Sequence, residues 1–361
     1  MSFTTRTTRP PALAAGTALL ALTLAACAPA AGAGPEAAGP PAELRLGYFA
    51  NVTHAPALVG VSEGIFEARL EAAGTPTLST QVFNAGPAAI EALNAGAIDA
   101  TFIGPNPAVN GFIQSDGDAL RIVAGTTSGG AQLVVQPGIA SAQDLVGANL
   151  ATPQLGNTQD VALRSWLTSQ GLTSPISGGG DVTITPTENA QTLQLFTDGE
   201  LDGAWLPEPW ASRLVVDAGA QVLVDEKDLW PDGQFVTTHL IVSREFLAEH
   251  PETVEALLEG LQDSIARLEV DPAGAAAVVN AQLEVAGGAA LSDEVLARAF
   301  GSLTFSTDPL AGTLGTVLAN AVAAGTTTAA SIEGIYDLRL LNVLRVASGA
   351  SPVSAAGLGQ E

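Results

Sequence analysis

Several residue types on which enzymes depend are scarce in this chain. Its 361 residues include one cysteine, Cys27, one lysine, Lys227, and three scattered histidines. A single cysteine excludes an intrachain disulfide and leaves the rest of the chain without a thiol nucleophile. Three separated histidines give no pattern of metal-ligand spacing. The sequence therefore predicts no cofactor and no metal site, and it argues against metal-dependent or thiol-dependent catalysis.

Positive charge is scarce as well. Thirteen basic residues stand against 37 acidic ones, which gives a formal net charge of −24 at pH 7. A surface of that sign repels nucleic acids and anionic lipid head groups, so we expect neither as a partner. The net charge says little about a bound small molecule, because local dipoles govern a buried site.

The sequence has one long apolar run, Leu13 to Ala26, which follows two arginines and precedes Cys27. This pattern predicts a signal peptide over residues 1–26, because the run is too short for a transmembrane anchor. Its last residues and Cys27 resemble a bacterial lipobox, which favours lipidation of Cys27; an ordinary secreted protein is the alternative. We expect residues 27–43, rich in alanine, glycine and proline, to be a tether between the lipid anchor and the folded body. The expected location of the protein is the cell envelope, either anchored to the outer face of the cytoplasmic membrane or in the periplasm.

One stretch of sequence, residues 84–105, returns in residues 189–207. With an offset of 103 positions, similar residues lie opposite each other: Ile90 and Leu193, Leu93 and Phe196, Gly96 and Gly199, Ile98 and Leu201, Asp99 and Asp202, Phe102 and Trp205, Ile103 and Leu206. We interpret the two stretches as one structural unit used twice.

Each copy predicts a short helix, a turn and a buried strand. Apolar residues three positions apart lie on one helix face, a glycine closes the helix, and a short apolar run follows. The helix starts, at Gly86-Pro87 and at Glu188-Asn189-Ala190, leave backbone N–H groups without partners inside the helix, and such groups attract anions or polar ligand groups. Each start could equally face water.

The whole pattern predicts an α/β protein of two lobes. We expect lobe 1 over residues 44–130, lobe 2 over 131–235, and a return to lobe 1 over 236–346. Glycine-rich Ser128-Gly129-Gly130 and the long strand Phe235 to Ser243 are the two predicted crossings between lobes. Helices from Pro251 onward are expected to pack on the first lobe, and residues 347–361 to form a flexible tail.

One serine motif and two histidines each allow a functional and a structural interpretation. Gly60-Val-Ser-Glu-Gly64 matches the nucleophile-elbow pattern, but it lies at the end of a predicted helix instead of between a strand and a helix, so we reject that reading. His54, at a helix start, is either a ligand contact or a capping or surface imidazole. His239, within a predicted strand, favours an interior position.

With these features in view, the chain resembles the ABC-transporter substrate-binding lipoproteins, and more narrowly the branch for nitrate, taurine and aliphatic sulfonates. The resemblance covers residues 44–346. The resemblance rests on three segments: Phe83-Asn-Ala-Gly-Pro-Ala-Ala-Ile-Glu-Ala-Leu-Asn-Ala-Gly-Ala-Ile-Asp99, Gly156-Asn-Thr-Gln-Asp160 and Trp205-Leu-Pro-Glu-Pro-Trp210. It implies a type II periplasmic-binding-protein-like fold, in which two α/β lobes joined by two hinge strands close on a small molecule and present it to a membrane permease.

The resemblance also implies the residues of the ligand cleft: Asn51, His54, Gly86, Pro105, Asn106, Thr127, Ser128, Asn157, Thr158, Glu208 and Trp210. Helix N-termini that converge there can hold a sulfonate without a full countercharge, and tryptophan can cover an aliphatic part. For Trp205, on its strand, we favour a core position.

The expected protein is therefore a lipid-anchored monomer that binds an organosulfonate-like anion and delivers it to an ABC permease. Nitrate is disfavoured, because nitrate-binding relatives use a basic residue at the anion and Lys227 lies in no matching motif. A thiamine-precursor pyrimidine or another small heterocycle is the alternative ligand. An enzyme on this fold, with a lysine-bound cofactor, is the third hypothesis, and Lys227 is the one lysine it could use.

Overall fold

Two β-sheets, built from the short apolar runs of the sequence, organise the chain. The structure, a computed structural model, describes residues 41, 43–75, 77–287 and 289–361. The predicted signal peptide, Cys27 and nearly all of the predicted tether lie outside the described residues.

The strands are β1 (Glu43–Phe49), β2 (Thr77–Phe83), β3 (Ala100–Ile103), β4 (Leu120–Gly129), β5 (Ala131–Val135), β6 (Asn149–Thr152), β7 (Thr183–Pro186), β8 (Gly203–Pro207), β9 (Gln221–Asp225), β10 (Val236–Ser243), β11 (Leu303–Phe305), β12 (Tyr336–Asp337) and β13 (Gly359–Gln360). The α-helices are α1 (Ala55–Ser62), α2 (Ile65–Ala72), α3 (Gly86–Asn94), α4 (Pro105–Gln114), α5 (Thr158–Ser169), α6 (Asn189–Thr197), α7 (Trp210–Ala218), α8 (Arg244–Glu249), α9 (Pro251–Val270), α10 (Pro272–Gly287), α11 (Asp293–Gly301), α12 (Leu314–Ala323) and α13 (Arg339–Ala347).

The two sheets share one core topology. In the larger sheet the order is β13-β12-β4-β10-β3-β1-β2, with β11 also paired to β4, and in the smaller one it is β7-β6-β8-β5-β9. Each sheet contains three parallel strands, β2-β1-β3 in the larger one and β7-β6-β8 in the smaller one. The next strand, β10 or β5, runs antiparallel to the third, and the strand after it, β4 or β9, runs antiparallel to that one. We call the elements around the larger sheet lobe 1 and those around the smaller sheet lobe 2, and this mixed α/β architecture is the predicted fold class.

The chain crosses between the lobes twice. The first crossing runs from β4 to β5 through Gly129 and Gly130, whose φ angles of 82° and 71° lie in the left-handed region that glycine adopts without strain. The second runs from the end of β9 back to β10, which inserts between β3 and β4 of lobe 1. The strand that returns from the other lobe is therefore hydrogen-bonded at the centre of the larger sheet.

The repeated unit predicted from the sequence is present in both lobes. Helices α3 and α6 and strands β3 and β8 occupy the positions that the 103-residue offset assigns to them. Gly96 and Gly199, which follow the two helices, have φ angles of 66° and 75°. Asp99 Oδ2 accepts the backbone N–H of Arg45 at 2.9 Å, and Asp202 Oδ2 accepts that of Asn149 at 2.7 Å. In both lobes this aspartate ties the start of the repeated strand to the parallel strand beside it, β1 in lobe 1 and β6 in lobe 2.

The C-terminal helices contact both lobes. Helix α9 packs on α1 and α2 of lobe 1, as predicted, whereas α11 also contacts α7 of lobe 2. There Arg298 Nη1 donates to Glu208 Oε1 at 3.1 Å, and its Nη2 donates to Gln132 Oε1 at 2.6 Å. Helix α11 therefore also supports lobe 2, whereas the sequence predicted that the C-terminal helices pack on lobe 1.

The last residues differ from the flexible tail expected over 347–361. Val353 and Ala355 are buried, and β13 pairs with β12 at the edge of the larger sheet. Asn342 donates through Nδ2 to the Val353 carbonyl at 3.0 Å and accepts the Val353 N–H at 2.8 Å. These bonds satisfy backbone groups that the sequence pattern gave no reason to pair.

Candidate functional site

A small cavity lies where the two lobes meet, at the carboxyl ends of their parallel strands. Its volume is about 30 Å³. The lining residues come from both lobes and from β10: Phe49, Asn51, His54, Asn84, Ala85, Gly86, Gly104, Pro107, Pro153, Asn157, Thr158, Gln159, Asn189, Pro207 and Thr237. We call this space the central cavity. Its position is the one at which open α/β sheets bind ligands.

Several helix N-termini contribute to its wall, including those of α3, α5 and α6. Helix α3 begins at Gly86, α5 at Thr158 after its cap Asn157, and α6 at Asn189. Asn157 Oδ1 accepts the Asp160 N–H at 2.9 Å, which fixes the start of α5. Each start carries backbone N–H groups without a partner inside the helix, so the wall presents partial positive charge from three directions.

His54 contributes an uncharged ring. It is buried, and its Nδ1 accepts the Phe49 N–H at 3.3 Å, which leaves the proton on Nε2. Burial lowers the pKa of His54 to about 3, because the charged imidazolium loses its hydration. At neutral pH this histidine can therefore offer a neutral N–H donor but no countercharge.

Formal charge is absent from the described residues that line the central cavity. Two polar atoms of the wall nevertheless have no hydrogen-bond partner, Thr158 Oγ1 and Asn189 Oδ1, and both are buried. A buried polar atom without a partner is costly, typically by about 1–3 kcal/mol. Both atoms belong to residues that line the cavity at helix starts of lobe 2, so a polar guest there could pair with either of them.

The lobes contact each other across the cleft beside this cavity. Asn84 Nδ2 of lobe 1 donates to Glu188 Oε1 of lobe 2 at 2.6 Å, and Trp210 Nε1 donates to Asn51 Oδ1 at 2.8 Å. On the other side, Gly104 lies so close to Thr158 that a Cβ at position 104 would collide with the Thr158 hydroxyl. The structure therefore represents the two lobes closed on each other.

Two larger spaces adjoin the central cavity. One, of 170 Å³, shares Asn51, Asn84 and Asn189 with it and is also lined by Glu188, Trp210, Arg213 and Leu283. We call it the latch-side chamber. The other, of 280 Å³, shares Thr158 with the central cavity and is lined mainly by Pro105, Asn106, Trp166, Glu226, Leu229, Trp230, Val317 and Asn320. We call it the indole chamber.

The residues predicted for the cleft are distributed over these spaces. Asn51, His54, Gly86, Asn157 and Thr158 line the central cavity. Pro105 and Asn106 line the indole chamber, and Trp210 lines the latch-side chamber.

Thr127, Ser128 and Glu208 line none of the three spaces. Thr127 Oγ1 donates to the Thr53 carbonyl at 2.7 Å and so supports the loop after β1. Glu208 accepts the Ser212 N–H at 3.0 Å and pairs with Arg298, while its own carbonyl accepts the Thr53 N–H at 3.4 Å. Thr127 and Glu208 therefore lie behind the site and hold its loops.

Three polar lining residues were not predicted, Asn84, Gln159 and Thr237, and a fourth, Asn189, was predicted only as part of a helix start that could attract a polar group. Asn84 and Asn189 open the two copies of the repeated unit, so their position next to a helix start was a usable signal. Gln159 lies one residue beyond the predicted Thr158. Thr237 had no local signal, because β10 reaches the cleft only through the second crossing.

Two residues whose position the sequence left open are core. Trp205 is fully buried, and its Nε1 donates to Glu226 Oε2 at 2.8 Å. His239 is fully buried on β10, with Nε2 at 3.0 Å from the Pro309 carbonyl, and burial lowers its pKa to about 4. Neither lines the central cavity.

Comparison with known proteins agrees with this arrangement. The sequence profile of the NMT1-like family matches residues 37–283, which is more than half of the chain. The chain belongs to the NMT1-like family. Over the described residues of this family member, no group of three or more histidine, cysteine, aspartate or glutamate side chains could hold a metal ion. Over the same part of the chain, no helix is both long enough and apolar enough to cross a membrane.

Curated relatives of this NMT1-like chain are binding proteins. A protein of Brucella abortus (strain 2308), named as a candidate binding protein, is 25% identical over 224 residues, which cover 61% of this chain and 65% of the relative. The taurine-binding periplasmic protein of Escherichia coli (strain K12) is 24% identical over 191 residues, which cover 52% of this chain and 56% of that protein. The matches thus span less than two thirds of these relatives.

Solved structures share the two-lobed fold. The alkanesulfonate-binding protein of Xanthomonas axonopodis pv. citri, bound to MOPS, has a TM-score of 0.65 at 24% identity, over 81% of this chain and 96% of that one. The periplasmic nitrate-binding protein of Synechocystis PCC 6803 has a TM-score of 0.66 at 15% identity, over 79% and 82% of the two chains. At these identities the likeness concerns the fold.

Proposed function

We propose that this chain is the extracytoplasmic solute-binding component of an ABC importer, that it binds a small organosulfonate-like anion between its lobes, and that it delivers the anion to a permease. The observation that carries the proposal is the convergence of the α3, α5 and α6 starts on a cavity lined by residues of both lobes. Helix starts stabilise a weakly hydrated anion through N–H groups and dipoles. Lipid anchoring at Cys27 and a monomeric state belong to the same proposal.

Lobe closure is the proposed mechanism, with no covalent chemistry. A solute that contacts both walls favours the closed state by the difference between its affinities for the closed and open states. The Asn84–Glu188 and Trp210–Asn51 hydrogen bonds join the lobes on the latch side and favour the same state. A permease that recognises the closed pair of lobes would then distinguish loaded from empty protein.

A small uncharged or cationic heterocycle, such as a thiamine-precursor pyrimidine, is the second candidate. It is favoured by the absence of formal positive charge from the described cavity lining and by the unpartnered Asn189 Oδ1, which accepts from an N–H donor. A sulfonate group has no donor for that atom, whereas taurine and aminopyrimidines carry one.

Calorimetric titration of the wild type with taurine, alkanesulfonates, nitrate and aminopyrimidines tests the assignment. The expected result is heat with a sulfonate and none with nitrate. Thr158→Val should weaken sulfonate binding about tenfold, which corresponds to about 1.4 kcal/mol for one lost hydrogen bond. Because the Thr158 hydroxyl has no partner within the described protein, the variant should fold normally.

The matched control is Thr168→Val, the same substitution at an exposed position of the same helix. It should bind as the wild type does. Heat with a pyrimidine alone would reverse the order of the two candidates. Equal affinities of wild type and Thr158→Val would contradict the proposed site.

A further inference from the structure

The space between the lobes is unevenly divided. The central cavity has about 30 Å³, whereas the indole chamber has 280 Å³. A cavity holds a water molecule from roughly 10–15 Å³ upward, so the central cavity has room for only a few non-hydrogen atoms. A larger solute therefore has to extend from the central cavity into an adjoining chamber.

The latch-side chamber is the less suitable extension. Four of its polar side chains are already paired with each other across the cleft, Asn84 with Glu188 and Asn51 with Trp210. One face of the Trp210 indole is also covered, because the Arg213 guanidinium lies 5.0 Å from its ring centroid. A solute on this side would have to break contacts that hold the lobes together.

The indole chamber offers uncovered ring surface. Trp166 of α5 and Trp230 of the returning segment are both half-buried and come from separate elements. Trp230 is stacked on Phe235, with centroids 6.0 Å apart and planes at 13°, and Trp166 lies 6.2 Å from the Trp205 centroid. These neighbours fix both indoles in place, so their remaining surface is available to a guest without further ordering.

The charge of the chamber selects against anions. Glu226, whose carboxylate accepts the Trp205 N–H, is the one ionisable residue among the described residues that line it. Indole faces attract cations through the negative potential of the ring. Burial raises the pKa of Glu226 to about 7, so only its ionised fraction adds to that attraction at neutral pH. Uncharged rings are accepted by stacking, whereas an anionic group would face the negative potential of the rings.

Thr158 joins this chamber to the central cavity. It lines both spaces, its side chain is 7% exposed, and its Oγ1 has no partner within the described protein. A solute that spans the two spaces would pass this hydroxyl and could pair with it.

We propose that the indole chamber binds a flat, uncharged or cationic ring that belongs to the transported solute, while the polar head of the same solute occupies the central cavity. The inference rests on the proposed solute-binding function and specifies its substrate class. If the polar head is a sulfonate, the solute is a sulfonate that bears a ring. If that ring is cationic, the solute as a whole is a zwitterion.

Two probes that differ only in the ring test the proposal, 1-propanesulfonate and 3-(1-pyridinio)-1-propanesulfonate. By calorimetry, the wild type should bind the pyridinium probe about fivefold to thirtyfold more tightly, the range that a cation on an indole face supplies. Trp166→Ala should reduce this difference, and Trp166→Ala combined with Trp230→Ala should remove it, because both indoles line the chamber. Neither variant should change the affinity for 1-propanesulfonate. Trp166→Phe should retain part of the preference for the pyridinium probe, and this variant replaces Trp166→Ala in the test if the alanine variant does not fold.

Trp210→Ala is the tryptophan control on the latch side, and it should weaken the two probes equally. Equal binding of the two probes to the wild type, or a ring preference that survives the combined Trp166→Ala and Trp230→Ala variant, would overturn the inference and leave the sulfonate proposal standing. Binding of N-methylpyridinium that depends on Trp166, with no binding of either sulfonate, would support the chamber and reject the sulfonate head. No binding of any probe would reject both.

Discussion

The repeated unit has one backbone in the two lobes but different polar requirements. At the buried strand, lobe 1 has Phe102 where lobe 2 has Trp205, and both side chains are fully buried. Phenylalanine needs no hydrogen bond, whereas the indole N–H needs an acceptor in the interior, and Glu226 supplies it at 2.8 Å. The exchange of one aromatic residue for another is therefore accompanied by a buried carboxylate.

The same difference recurs just after the strand. Lobe 1 continues with Pro105, which starts α4 and needs no N–H partner, whereas lobe 2 has Glu208 at the equivalent position. The Glu208 side chain is fully buried, and Arg298 reaches it from α11. Lobe 2 thus depends on specific polar pairs in places where lobe 1 depends on apolar packing. Removing one member of such a pair leaves the other buried and unsatisfied.

The largest effect should follow from breaking the pair that lobe 1 lacks. Arg298→Met keeps the length of the side chain but leaves the Glu208 carboxylate without its counterion. We expect the free energy of unfolding to fall by about 3–5 kcal/mol in urea denaturation at pH 7. Arg267→Met, which breaks the partly exposed pair with Glu63, is the control and should cost at most about 1 kcal/mol. A loss at Arg298 no larger than this control would show that Glu208 needs no counterion.

The pH dependence of stability should reveal the second buried carboxylate. Burial raises the pKa of Glu226 to about 7 from 4.5, although the Trp205 and Trp230 N–H groups oppose the shift. A group with a raised pKa in the folded state binds protons more tightly there than in the unfolded state. The contribution of Glu226 to the free energy of unfolding is therefore fully present below pH 4.5. It is lost as the pH rises through 7, by up to about 3 kcal/mol.

Urea denaturation between pH 4.5 and 8 checks this expectation. In Glu226→Gln, which keeps an acceptor for the Trp205 N–H, this pH-dependent loss should disappear. Glu200→Gln, at an exposed position, should leave the pH profile of the wild type intact. If Glu226→Gln retained the wild-type profile, the titrating group would lie elsewhere.

The smallest effect concerns the feature that the two lobes share. Asp99→Ala and Asp202→Ala each leave a strand N–H without its acceptor, which should lower the free energy of unfolding by about 1–3 kcal/mol. Asp99 also pairs with the Arg45 guanidinium, whose side chain is 39% exposed. The free energy of unfolding lost in Asp99→Ala should therefore exceed the loss in Asp202→Ala by less than about 1 kcal/mol. A double-mutant cycle with Arg45→Ala measures that excess. A larger value would mean that the two copies are not equivalent.

The repeat and the order of the elements could be predicted because they depend on local patterns. Gly96 and Gly199 mark helix ends at both copies, and the apolar runs after them mark buried strands. Cleft residues next to a helix start, such as Gly86, Asn157 and Thr158, could be predicted for the same reason. Glu208 matched the expected turn, but its neighbour Pro207 lines the cavity while the carboxylate points to Arg298, 90 residues away in sequence.

By itself, the sequence determined the order of most helices and strands and the duplication of one unit, because these follow from residue types and short spacings. Only the tertiary structure decided which polar groups lie in the cleft. Glu226 and Arg298 acquire their roles through contacts with Trp205 and Glu208, and the chambers exist only between closed lobes. Such contacts join residues far apart in the chain, and no local pattern specifies which surfaces two lobes will bring together.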